Sequence, residues 1–172
     1  MSQHPSSPGP KLLIVEDDEN LRTQMKWALV QHYEVLLAED RPGALAAFRR
    51  ERPAVVLLDL GLPPHPAEVK EGFRTLDELL EEDTRIKVII LTGRSEKEHA
   101  LKAIGQGAYD FLGKPVEVEA LRVILHRAFH VAQLEREHRE LQQRLSGESF
   151  EEMLGSSPQI QKVFAAIRKV AT

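Results

Sequence analysis

The chain has 172 residues, 42% hydrophobic and 29% charged, and 23 Lys+Arg against 27 Asp+Glu leave a formal net charge of −4. That is a globular composition without a basic field, which argues against direct nucleic-acid binding by this segment. The absence of cysteine excludes disulfides, thiol nucleophiles and thiolate metal sites. No apolar run approaches the ~18 residues of a membrane helix, so a cytoplasmic protein without membrane contact is expected.

The opening MSQHPSSPGP, residues 1–10, is Pro/Ser-rich and lacks an apolar core, so it reads as a disordered tail rather than a signal peptide. Leu12 to Val15 is a short buried-strand run, and Glu19 to Gln31 has helical spacing through Leu21, Met25, Ala28 and Leu29. Glu34 to Ala38 reads as a second strand. Arg41 to Glu51 is helical, and Pro53 stops it. Val55 to Leu58 and Ile86 to Leu91 are continuous apolar runs of the kind buried on both faces. Between them Gly72 to Glu82 is helical, and Glu96 to Gln106 is another helix, ended by Gly107. Tyr109 to Leu112 is the last strand, and Val116 opens a long helix.

Five alternating strand–helix pairs predict an α/β fold, a doubly wound five-stranded parallel sheet with helices on both faces. Right-handed crossovers then bring every strand's C-terminal end to one edge. At that edge stand Glu16, Asp17 and Asp18, then Asp59, Thr92 and Lys114. Clustered carboxylates repel one another and call for a hard cation; oxygen-only ligands suit Mg²⁺. Carboxylate, cation, hydroxyl and ammonium together are what phosphoryl transfer onto an aspartate requires. Taken singly, each has a plain alternative: Asp17 or Asp18 could cap the first helix, and Lys114 could be a solvated charge.

LLIVEDDENLR, VVLLDLGLP, VIILTGR and GAYDFLGKP resemble the receiver domain of bacterial two-component response regulators, over about residues 11–131. The resemblance implies a flavodoxin-like receiver in which Asp59 accepts a phosphoryl group from a sensor histidine kinase. It implies that Asp17, Asp59 and the Gly61 carbonyl bind Mg²⁺, with Glu16 acting through water, and that Asp18 is an extra acid. Thr92 and Lys114 would hold the phosphoryl oxygens, Phe111 would be the aromatic switch, and Lys114-Pro115 would be cis. One departure is visible. Residues 64–71 intervene before Gly72, so the loop over the site is longer than usual.

From Ile124 an apolar stripe continues through Val131, Leu134, Leu141 and Leu145, with His138 in register. That spacing predicts a coiled-coil linker over residues 132–147 and a homodimer. The following residues, 148–172, resemble the start of the ATPase domain of enhancer-binding, nitrogen-regulator-type activators, cut before any phosphate loop. DNA and RNA polymerase contacts would belong to domains not in this segment. His126 and His130, four apart, lack the acid of a metalloprotease motif and are set aside. A signalling module is therefore expected, not an enzyme beyond assisting its own phosphorylation and dephosphorylation. The alternatives are a haloacid-dehalogenase-like phosphohydrolase, which needs a second acid where Gly61 stands, and a phosphorylation-independent interaction module.

Overall fold

The computed structural model describes residues 8–93 and 95–155. Its elements are β1 (Lys11–Val15), α1 (Glu19–Leu29), β2 (Glu34–Ala38), α2 (Arg41–Glu51), β3 (Val55–Asp59), α3 (Lys70–Glu82), β4 (Lys87–Thr92), α4 (Lys97–Gly105), β5 (Asp110–Gly113) and α5 (Val118–Gly155). The strands form one parallel sheet in the order β2-β1-β3-β4-β5. Residues up to Ala132 make one compact unit and those from Gln133 a second; the boundary falls inside α5.

The apolar runs become strands because both of their faces are covered. Leu13, Val15, Val56, Leu58, Val88 and Ile90 face a cluster that includes Leu45 and Phe48 of α2, Phe73, Leu76 and Leu79 of α3, and Ala103 of α4. Leu12, Ile14, Val55, Leu57, Ile89 and Leu91 face Met25 and Leu29 of α1 and Leu121, Leu125 and Ala128 of α5. Burying each such side chain fully is worth roughly 1.5–3 kcal/mol. The chain leaves β1 through α1 on one face and leaves β2 through α2 on the other. That switch opens a crevice beyond the ends of β1 and β3, where folds of this type place their sites.

Helix limits follow local polar chemistry. Asp18 caps α1, its carboxylate accepting from the Asn20 and Leu21 amides. The helix stops at Leu29, two residues short of the expected Gln31, because the His32 and Tyr33 amides both turn back to the Leu29 carbonyl. Asp40 caps α2 through the Gly43 amide, and Arg52 ends it in the left-handed region, φ 48°, ahead of Pro53. Gly107, with φ 114°, carries the chain from α4 into β5. Both β4 and β5 lie one residue later than expected, and α3 begins two residues earlier. The last helix begins at Val118 rather than Val116 and runs on through residues 146–149 to Gly155. The expected tail through residue 7 and the ATPase-like stretch from residue 156 lie outside the described residues.

Candidate functional site

Glu16 follows β1 and Asp59 closes β3. Because Val15 pairs with Leu58, the two acids emerge as neighbours at one edge. Glu16 is fully buried and Asp59 nearly so, while Asp17 is half-buried. Asp18 is committed to the α1 cap, which leaves Asp17 to point elsewhere. Glu16, Asp17 and Asp59 each offer a carboxylate oxygen, and these atoms lie within 4.8 Å of one another.

The counter-charge arrives from two strands away. Strand β5 pairs with β4 so that Thr92 opposes Gly113, and the Lys114 amide donates to the Thr92 carbonyl at 2.6 Å. The Lys114–Pro115 bond is cis, as is Pro63–Pro64. The Lys114 ammonium donates to Asp59 Oδ2 at 2.8 Å and stands 3.0 Å from Glu16 Oε2. The second contact lacks hydrogen-bond geometry, so Glu16 Oε2 is buried with an ionic neighbour and no donor. The Gly61 amide supplies a donor to Asp59 Oδ1 at 3.1 Å.

Burial first, and then the Asp59 charge and hydrogen bond, push the Glu16 carboxyl up to about 8, with Lys114 pulling the other way. For Lys114, burial works against the charge. Its hydrogen bond to Asp59 and its attraction to the Asp59 and Glu16 charges outweigh that cost and leave its pKa raised. Without a cation, Glu16 thus holds its proton to higher pH than an ordinary carboxyl does. An acid-only donor set with one buried oxygen lacking a donor fits a hard, oxygen-seeking divalent cation, which would replace that proton.

Thr92 is buried at the end of β4, and Phe111 of β5 is half-buried against the α2–α4 side core. Phe111 pairs with Ile90, so it shares a sheet face with Thr92 two residues on. Beyond Thr92, the Gly93 amide donates to the Glu96 carboxylate at 3.0 Å, which folds the β4–α4 connection over itself.

The long β3–α3 connection is pinned at both ends. A Cβ on Gly61 would meet the Pro66 carbonyl oxygen at 2.6 Å, and one on Gly72 would collide with the Leu60 backbone. Gly72 therefore sits where close backbone packing demands glycine, and the extra residues loop out before it. Together with α4 they border a groove of about 600 Å³, lined in part by Phe73, His99 and Lys102. His126 and His130 are exposed on α5.

Two contacts near the site escape a reading of the sequence alone. One is the Glu96 carboxylate on Gly93; the other is Arg22, whose guanidinium donates to the Glu16 carbonyl at 2.7 Å and the Asp17 carbonyl at 3.4 Å. Only the position of Arg22, one helical turn after the acids, hinted at it.

Residues 12–126 match the response regulator receiver domain family. The chain is 31% identical over 163 residues to the regulatory protein AtoC of Escherichia coli (strain K12), covering 94% of this chain and 34% of that protein. It is 33% identical over 160 residues to the nitrogen assimilation regulatory protein NtrX of Azorhizobium caulinodans, covering 92% and 34%. Crystal structures of NtrX from Brucella abortus superpose with a TM-score of 0.72 at 29% identity, covering 95% of this chain and 35% of that one. The isolated NtrX receiver domain gives 0.64 at 31% identity, covering 69% and 98%. The chain spans about a third of the length of these curated relatives.

Proposed function

Since the chain belongs to the response regulator receiver domain family, we propose that a sensor histidine kinase phosphorylates it on Asp59, and that the phosphoryl group controls a downstream transcription-activating ATPase domain. The supporting observation is the setting of Asp59. It is a nearly buried carboxylate at a strand end, with Lys114 on one oxygen, the Gly61 amide on the other and two acids alongside.

An Asp59 oxygen attacks the phosphorus of a phosphohistidine, the P–N bond breaks, the imidazole leaves and takes a proton from solvent, and an acyl phosphate remains. Asp17, Asp59 and the Gly61 carbonyl would hold Mg²⁺, with Glu16 acting through water. Bound there, the ion neutralises charge between the acids and the arriving phosphoryl oxygens. Lys114 stays close enough to Asp59 to donate a charge-assisted bond to the new group. Thr92 donates a second bond by moving toward it. Phe111, on the same sheet face, fills the space that Thr92 leaves. Such a switch works only as far as the phosphoryl group binds one state better than the other.

This is a signalling domain, and its chemistry is limited to its own phosphorylation and dephosphorylation. The phosphohydrolase reading lapses, because its second acid would stand where Gly61 donates to Asp59. The chain works in the cytoplasm as a homodimer through the second half of α5, where Leu134, Leu141 and Leu145 are 50%, 56% and 57% exposed at heptad-compatible spacing.

The test is intact mass after incubation with acetyl phosphate and Mg²⁺. A gain of about 80 Da, one phosphoryl group, is expected. It should vanish with EDTA and in Asp59→Asn. Persistent stoichiometric labelling of Asp59→Asn rejects the assignment.

A further inference from the structure

We propose that Arg22 is a positioning residue for the acid cluster, holding the Asp17–Asp18 peptide so that its amide keeps the Glu16 carboxylate aimed at the cation site. The inference rests on the reading of Glu16, Asp17 and Asp59 as cation ligands.

The observation is a pair of contacts on one peptide unit. The Asp17 carbonyl accepts from Arg22 Nη1 at 3.4 Å, and the Asp18 amide donates to Glu16 Oε1 at 3.1 Å. In a trans peptide the C=O and N–H point in opposite directions. Fixing the carbonyl toward Arg22 therefore fixes the amide toward Glu16. The same guanidinium nitrogen takes the Glu16 carbonyl at 2.7 Å, so the turn is gripped at two consecutive residues. On the other side the Glu16 amide donates to the Ala38 carbonyl at 3.0 Å, which ties the turn to β2.

Glu16 needs this support. Its Oε1 receives the Asp18 amide, while its Oε2 meets the Lys114 ammonium at 3.0 Å without hydrogen-bond geometry. Both bonds from Arg22 leave one guanidinium nitrogen, Nη1, whose two protons can serve the two carbonyls. The side chain is mostly shielded; its remaining contact, 3.8 Å to the exposed Glu39, is a weak surface pair.

The sign of the effect separates positioning from simple electrostatics. Removing a positive charge near a cation site should strengthen binding if charge alone mattered. Loss of a positioning partner should weaken it, by the ~10–100-fold typical of outer-sphere groups around metals. The experiment is Mg²⁺ titration of the intact chain by calorimetry at constant pH, for wild type, Arg22→Met and Arg22→Lys, with acetyl phosphate labelling followed in parallel. The expected result is at least tenfold weaker Mg²⁺ binding in Arg22→Met and a smaller loss in Arg22→Lys. The labelling rate should return to within about twofold of wild type once Mg²⁺ saturates, since the nucleophile is untouched. Unchanged or tighter binding in Arg22→Met overturns the proposal. If that variant does not fold, wild-type affinity in Arg22→Lys overturns it. A wild-type chain that binds no Mg²⁺ refutes the ligand assignment itself, a result distinct from any difference among the variants.

Discussion

Around Asp59 the chain answers its own charges: Lys114 bridges toward two acids, Gly61 donates to Asp59, and Arg22 grips the turn that carries Glu16 and Asp17. In residues 133–147 of α5, by contrast, Leu134, Leu141 and Leu145 stay half or more exposed. The first region can be argued from one chain because its partners are covalently present. The second repeats the apolar pattern of the buried turns of the same helix, where Leu121 and Leu125 are fully covered. A leucine stripe therefore says that something covers it, and only the surroundings say what. Large apolar groups left open in this way are what the proposed dimer would cover.

The sharpest way to test that contrast is to truncate one leucine from each half of α5. Leu125→Ala, in the core against α1 and the sheet, should cost about 2–5 kcal/mol in urea unfolding. Leu141→Ala, measured at concentrations where the chain is monomeric, should cost under about 0.5 kcal/mol. Equal losses would mean that the second half is covered within one chain.

A smaller effect is expected from placing charge in the open half. Leu134→Glu with Leu141→Glu should leave the unfolding midpoint of the monomer unchanged and weaken the dimer by roughly 100-fold, about 2.7 kcal/mol, by light scattering across a dilution series. A monomeric wild-type chain at tens of micromolar would remove the interface altogether.

The smallest effect probes the closed region. Glu16 titrates near 8 in the folded chain and at 4.5 in the ordinary state, so between those values the folded chain binds the extra proton. The Glu16 contribution to stability without Mg²⁺ is full below 4.5 and is lost as pH rises through about 8, whereas Glu51 and Glu71, held low by Lys11 and Arg41, lose theirs only as pH falls below 4.5. The raised Lys114 pKa acts in the same direction only above 10.5, outside that window. We expect the melting temperature to fall across that range. The dependence should flatten in Glu16→Gln. Melting temperatures that rise over this range would show that the two acids do not share their site as described.

The strands buried on both faces could be read directly, since β1, β3 and β4 are unbroken apolar runs. The edge strand β5, with Asp110 at its start and Gly113 at its end, has a weaker pattern, and its limits moved. Sequence left open whether Asp17 or Asp18 capped α1; the two amide bonds to Asp18 decide it and leave Asp17 free for the cluster. Asp59, Thr92 and Lys114 could be named beforehand because strand ends are predictable. Arg22 and Glu96 could not be, because both act on backbone groups whose direction is set only when the turns close.

The pinning of the β3–α3 connection by Gly61 and Gly72 has an evolutionary corollary. With Gly72 packed against the Leu60 backbone, Leu62 in the core and Val69 against it, the exposed residues 64–68 form a replaceable cassette, free to change charge while Asp59 stays in register. Relatives can therefore diversify the rim of the site at little risk to its nucleophile. A lineage under pressure to tell one upstream partner from another would find its cheapest mutations in residues 64–68.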